Sequence, residues 1–64
     1  MAHISDYFKE TGAKASVYKD VHTNEHFIIY YTVRGAVSST EHFPGKALGY
    51  VEDAGENWAL GIKQ

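Results

Sequence analysis

Cysteine is absent from the 64 residues, which excludes disulfides and thiolate zinc sites. Long apolar runs are absent as well: none approaches the roughly 20 residues that a membrane-spanning helix needs. The opening Met1-Ala2-His3-Ile4-Ser5-Asp6 lacks the charged start and apolar stretch of a secretory signal. These absences lead to the expectation of a cytoplasmic protein with no membrane partner. A basic surplus is missing too. Six Lys and Arg stand against eight Asp and Glu, for a net charge of −2, whereas a nucleic-acid binder usually carries excess positive charge.

The chain is short enough to be one domain. A domain of this size buries only about 60% of its unfolded surface. Small domains commonly add disulfides, a metal or oligomerisation, and without cysteine oligomerisation stays open. Aromatic residues make up 14%, five of them Tyr, which favours a packed or recognition surface over disorder.

Punctuation divides the chain into a short N-terminal segment, a sheet and a helix. Residues 1–12 contain Ser5 and Asp6, which suit a helix cap, and Gly12, which suits a stop. One or two helical turns burying Tyr7 and Phe8 are expected there. Residues 13–43 read as a three-stranded antiparallel meander, with strands over 13–21, 25–33 and 36–43. The turns fall at His22-Thr23-Asn24 and Arg34-Gly35, and Pro44-Gly45 ends the last strand. Residues 46–61 have helical spacing, with Ala47, Tyr50, Val51, Ala54 and Trp58 at intervals of three and four and Gly61 at the stop. Gly49 and Gly55 interrupt this helix, and close backbone packing or simple tolerance would explain either. The fold class is α+β, one helix across one face of a three-stranded sheet.

The central strand is apolar on both faces. Phe27, Ile29, Tyr31 and Val33 alternate with Ile28 and Tyr30. With an even number of residues in each hairpin loop, one sheet face holds Tyr18, Phe27, Ile29, Tyr31, Val33 and Ala36. The other holds Val17, Val21, Ile28, Tyr30, Val37 and Phe43, mixed with Lys19, Ser39 and Glu41. The first is richer along the central strand and is the expected seat of the helix. The second is a mixed patch of the kind that mediates association, with Val17, Ile28, Tyr30 and Val37 as interface candidates. The alternative is that Ile4, Tyr7 and Phe8 of the N-terminal segment cover that patch within one chain.

Residue constellations for catalysis are weak. His22 and His26 have ligand spacing only on a shared helix, and a turn separates them. No serine stands in a glycine-flanked strand-to-helix elbow, and Gly45-Lys46 alone does not make a phosphate loop. No metal, cofactor or enzymatic activity is expected. An enzyme with a site shared between subunits would need a deep interfacial pocket holding His26 or His42. The acids Glu52, Asp53 and Glu56 on the helix are either a solvated face or a docking surface for a basic protein partner. A nucleic-acid-binding β3α domain would use Lys14, Lys19 and Arg34 on the sheet, offset by Asp20, Glu25 and Glu41.

The stretch from Tyr50 through Asn57-Trp58 to Gly61 is similar to the ends of small proteins encoded by T4-like phages of marine cyanobacteria. Val17-Tyr18-Lys19-Asp20 and Tyr30-Tyr31 also resemble those proteins, so the likeness extends over about three quarters of the chain. The resemblance implies no activity, ligand or active site. It implies the host cytoplasm as the working compartment and binding of host proteins as the mode of action. The expectation from residues and resemblance together is a non-catalytic protein-binding module that self-associates through a free sheet face.

Overall fold

The apolar run expected as the central strand is one in the computed structural model, which describes residues 1–62. Four antiparallel strands in the order β1-β2-β3-β4 form a single sheet: β1 Ala2–Phe8, β2 Lys14–Lys19, β3 His26–Tyr31 and β4 Val37–Phe43. Helix α1, Leu48–Leu60, follows and packs on one face. The architecture is α+β with an antiparallel sheet, a C-terminal helix and one strand more than the sequence pattern implies.

The added strand is the N-terminal segment, where helical turns were expected. Ser5 and Tyr7 alternate with Asp6 and Phe8, and pairing with β2 (Asp6↔Ser16, Tyr7↔Ala15) satisfies backbone groups that a two-turn helix would leave to water. A bulge between His3 and Ser5 resets the alternation. Ser5 and Asp6 do not cap anything. Ser5 Oγ donates to a Glu52 carboxylate oxygen at 3.4 Å, and Asp6 accepts from Ser16 Oγ at 2.6 Å.

Two of the hairpins share one turn geometry. In each, three residues separate a pair joined by a 2.8 Å N–H···O=C bond, Lys9 to Ala13 and Thr32 to Ala36. In each the third loop residue is a left-handed glycine, Gly12 at φ 97° and Gly35 at φ 86°. The β2–β3 loop has four residues, closed by Asp20 N–H to Glu25 O, with Asn24 left-handed at φ 61°. This loop is even, as expected, so each side chain keeps its expected face, but the pairing slides by two residues: Val17 lies opposite Ile28 rather than Tyr30, and Tyr18 opposite Phe27 rather than Ile29. His26 faces Phe43 as expected, but the bulge beyond Tyr30 sets Val37 opposite Tyr31 rather than Thr32. That slip moves Val37 to the other face of the sheet.

The helix takes the face opposite to the expected one. It lies over β1, β2 and β3 and seals Ala15, Val17, Ile28 and Val51, all at 0% exposure, with Phe43 at the margin. Each of the three larger side chains contributes about 1.5–3 kcal/mol by leaving water. Close approach decides the choice. Gly55 lies on the Tyr7 ring so tightly that a Cβ there would be 2.9 Å from Tyr7 Cδ2. Ala15 and Val17 leave the floor low enough for that contact. Val17 and Ile28 are thus core, not interface, and Tyr30 packs on Trp58 with ring centroids 5.1 Å apart. The helix ends as expected, with Gly61 left-handed at φ 78° and its N–H bonded back to the last turn.

The two helix glycines differ. A Cβ on Gly49 would meet nothing within 4 Å. Gly49→Ala is expected to stabilise the fold by about 0.5 kcal/mol through helix propensity. Gly55→Ala is expected to lower stability by about 1 kcal/mol or more, because the Tyr7 ring must move. Urea midpoints of the two variants check this, and a higher midpoint for Gly55→Ala would show that the close contact is dispensable.

Candidate functional site

The sheet face away from α1 carries a row of rings, one from each strand. His3 meets Tyr18 edge-on at 5.3 Å between centroids, Tyr18 stacks on Phe27 at 5.5 Å, and Phe27 meets His42 at 5.4 Å. Strand pairing places these four side chains in line (His3↔Tyr18↔Phe27↔His42). Each contact adds roughly 0.5–1.5 kcal/mol beyond its area for true aromatic pairs. Ile29, Tyr31 and Val37 continue the surface toward the β3–β4 turn, with Val37 at 62% exposure. The Tyr18 and Tyr31 hydroxyls are 3.4 Å apart, and Lys14 Nζ lies 4.8 Å above the Tyr31 ring. The hydrogen bond with Tyr18, more than burial, holds the Tyr31 hydroxyl above the usual phenol range.

Beside the row lies a small polar network. His3 Nε2 and Ser16 Oγ both reach Asp6 Oδ1, at 2.8 and 2.6 Å. Ser16 is 1% exposed. Burial works to raise the Asp6 pKa, but the hydrogen bonds from Ser16 and His3 and the charges of His3 and Lys14 outweigh it, so the carboxyl titrates below its ordinary value. Asp6 and Lys14 are the only carboxylate and ammonium that the register puts on this face, so the face carries little net charge.

Of the residues singled out as an interface, only Val37 lies on the open face, and it does so because of the bulge. Val17, Ile28 and Tyr30 are on the helix side. The residues that sequence reasoning assigned to the helix seat, Tyr18, Phe27, Ile29 and Tyr31, form the open face instead. Val33 and Ala36 lie in and beside the β3–β4 turn, both exposed. Neither face is covered by the N-terminal segment as a lid. Ile4 and Tyr7 pack on the core from the helix side, while Phe8 is 62% exposed.

The helix acids do not act as one cluster. Glu52 turns toward Ser5 on β1, while Asp53 and Glu56 are exposed. The histidines are dispersed. His3 and His42 end the ring row, His22 is in a turn, and His26 is on the helix side with its Nδ1 buried and without a hydrogen bond. Among the described residues no three His, Asp or Glu side chains are grouped to hold a metal ion, and no helix is long and apolar enough to cross a membrane. Sequence reasoning missed His3 and Ser16. The signal was the alternation in residues 2–8, which a cap-like Ser5-Asp6 obscured.

Ser16→Ala removes a buried donor from a carboxylate and is expected to cost about 1–2 kcal/mol at pH 7. A depressed folded pKa stabilises above the unfolded value, 3.8 for Asp, and that stabilisation is lost as pH falls through the folded value. The gap between parent and variant is therefore expected at full size above that pH and to narrow below it. Denaturation at pH 7 and at low pH checks this, and a gap independent of pH would show that the Asp6 charge plays no part. Comparison with protein-family models, with curated proteins and with solved structures finds no match for this chain.

Proposed function

We propose that the protein is a small, non-catalytic binding module that associates with itself through the open face of its sheet. The observation that carries this reading is the uncovered row His3–Tyr18–Phe27–His42 with Ile29, Tyr31 and Val37 beside it. A sheet of four strands has one helix, and the helix covers the other side. Two such faces packed together would remove rings and aliphatic groups from water on both copies.

Charge favours a second copy over a polyanion. Glu41, Asp53 and Glu56 lie on the helix side and Glu10, Asp20 and Glu25 in or beside loops, while the open face carries Asp6 against Lys14. Two near-neutral faces meet without repulsion, and Lys14 of one copy has an acid to answer in the other. The same rings would suit single-stranded nucleic acid as a stacking platform, yet among the described strand residues the register places only Lys14 on this face to meet phosphates. The resemblance to small proteins of marine cyanophages extends the proposal to the cytoplasm of an infected host, with a host protein as a further partner.

Light scattering over a concentration series tests this. The parent is expected to rise to twice its 7.1 kDa monomer mass, and Phe27→Asp and Val37→Glu to stay at monomer mass while retaining the parent's far-UV spectrum. A parent that is monomeric at every concentration, or variants that associate as well as it does, would overturn the proposal. A mobility shift of single-stranded DNA at low salt would transfer the face to the competing reading.

A further inference from the structure

The helix covers only part of its side of the sheet, and along β4 it leaves a groove of about 260 Å³. Tyr30, Phe43, Tyr50 and Trp58 line it, with the Glu41 carboxylate at one wall. The rings are mutually packed, Tyr30 on Trp58 at 5.1 Å and Phe43 against Tyr50 at 6.1 Å. Tyr30 Oη donates to Glu41 Oε1 at 2.9 Å. Burial, then that hydrogen bond and the charge of Glu41, keep the Tyr30 hydroxyl protonated well above its ordinary range, so it stays a donor. The groove runs past Tyr30 and Trp58 into a second hollow of about 370 Å³ edged by Thr32, Ser38 and Ser39. The 260 Å³ groove shares no lining residue with the open face, and what it binds does not depend on self-association.

We infer that this groove takes the arginine side chain of an extended basic segment from a partner protein, laid along the outer edge of β4. Several features converge on that ligand. Aromatic faces attract a guanidinium, and the rings here already do so for cations within the chain, Lys9 Nζ lying 4.7 Å from the Trp58 centroid and Lys46 Nζ 4.9 Å from that of Tyr50. Neither lysine lines the groove. Glu41 uses one oxygen for Tyr30, and among the described residues no donor takes the other, which can accept from a planar fork of N–H donors. β4 pairs only with β3 among the described residues, and Val37 through His42 are all exposed, so its outer backbone edge can receive a strand.

Trp58 is the sole tryptophan and reports on the groove by its own fluorescence. The probe is a capped Thr-Val-Arg-Val-Thr peptide, compared with the same peptide carrying citrulline. A saturable change in Trp58 emission is expected with arginine, at least about tenfold weaker with citrulline. Glu41→Gln, which leaves an acceptor for Tyr30, is expected to weaken arginine binding by about tenfold. Phe27→Asp, on β3 and the open face and outside the groove and the β4 edge, is expected to leave it unchanged. Equal binding of the two peptides, no effect of Glu41→Gln, or no saturable response would overturn the inference. Guanidinium ion alone binding as tightly as the peptide would overturn the strand docking.

Discussion

The close approach of α1 to the centre of the sheet is the constraint on which the rest of the structure depends. Val51 and Gly55 come down on a floor of Tyr7, Ala15, Val17 and Ile28. Gly55 takes the tightest contact, against the Tyr7 ring, and small or aliphatic side chains, Ala15, Val17, Ile28 and Val51, fill the buried floor beside it. A domain this small has few such residues, so the helix must sit where they are. Placing it there consigns the rings of Tyr18, Phe27 and Tyr31 to the other face, where the two tyrosine hydroxyls and the histidines at the row's ends stay within reach of water. Rings that would obstruct a helix at short distance serve well on a surface that meets another surface.

Polar groups follow the same division. The open face has a nearly balanced pair in Asp6 and Lys14 and keeps Asp6 charged through Ser16 and His3. The helix side carries the acids, with Glu41 held by Tyr30 beside a groove of rings. One fold thus presents two chemically distinct surfaces. The first is aromatic and near neutral, and it is the face proposed to meet a copy of itself. The second is aromatic and anionic and suits a cation. Neither needs a moving part, since each is framed by paired strands and a capped helix.

Legibility from the sequence varied with the kind of information each element carries. β3 and α1 were readable because local pattern determines them: apolar residues at every position in one, three- and four-residue intervals and a terminal glycine in the other. β1 was not, because Ser5-Asp6 before Tyr7-Phe8 is as good a helix start as a strand, and only the empty edge of β2 decides between them. The site suffered from two separate errors, one of parity and one of helix seating. The bulge beyond Tyr30 turned Val37 over, and the helix was seated by counting apolar residues when low, smooth packing mattered more. Tyr30 as an interface residue and Tyr18 as a core residue exchanged places for that reason.

The sequence by itself determined that the sheet would be apolar on both sides, where the chain would turn, and that one helix would have to serve a surface larger than itself. Those follow from periodicity and from backbone preferences of glycine and proline, which act over a few residues. Only the tertiary structure decided which face the helix would take, that the first eight residues would add a strand, and that four rings from four strands would fall into line. These depend on steric fit and register between segments far apart in the chain, where a shift of one residue reverses every side chain and no local signal records the outcome.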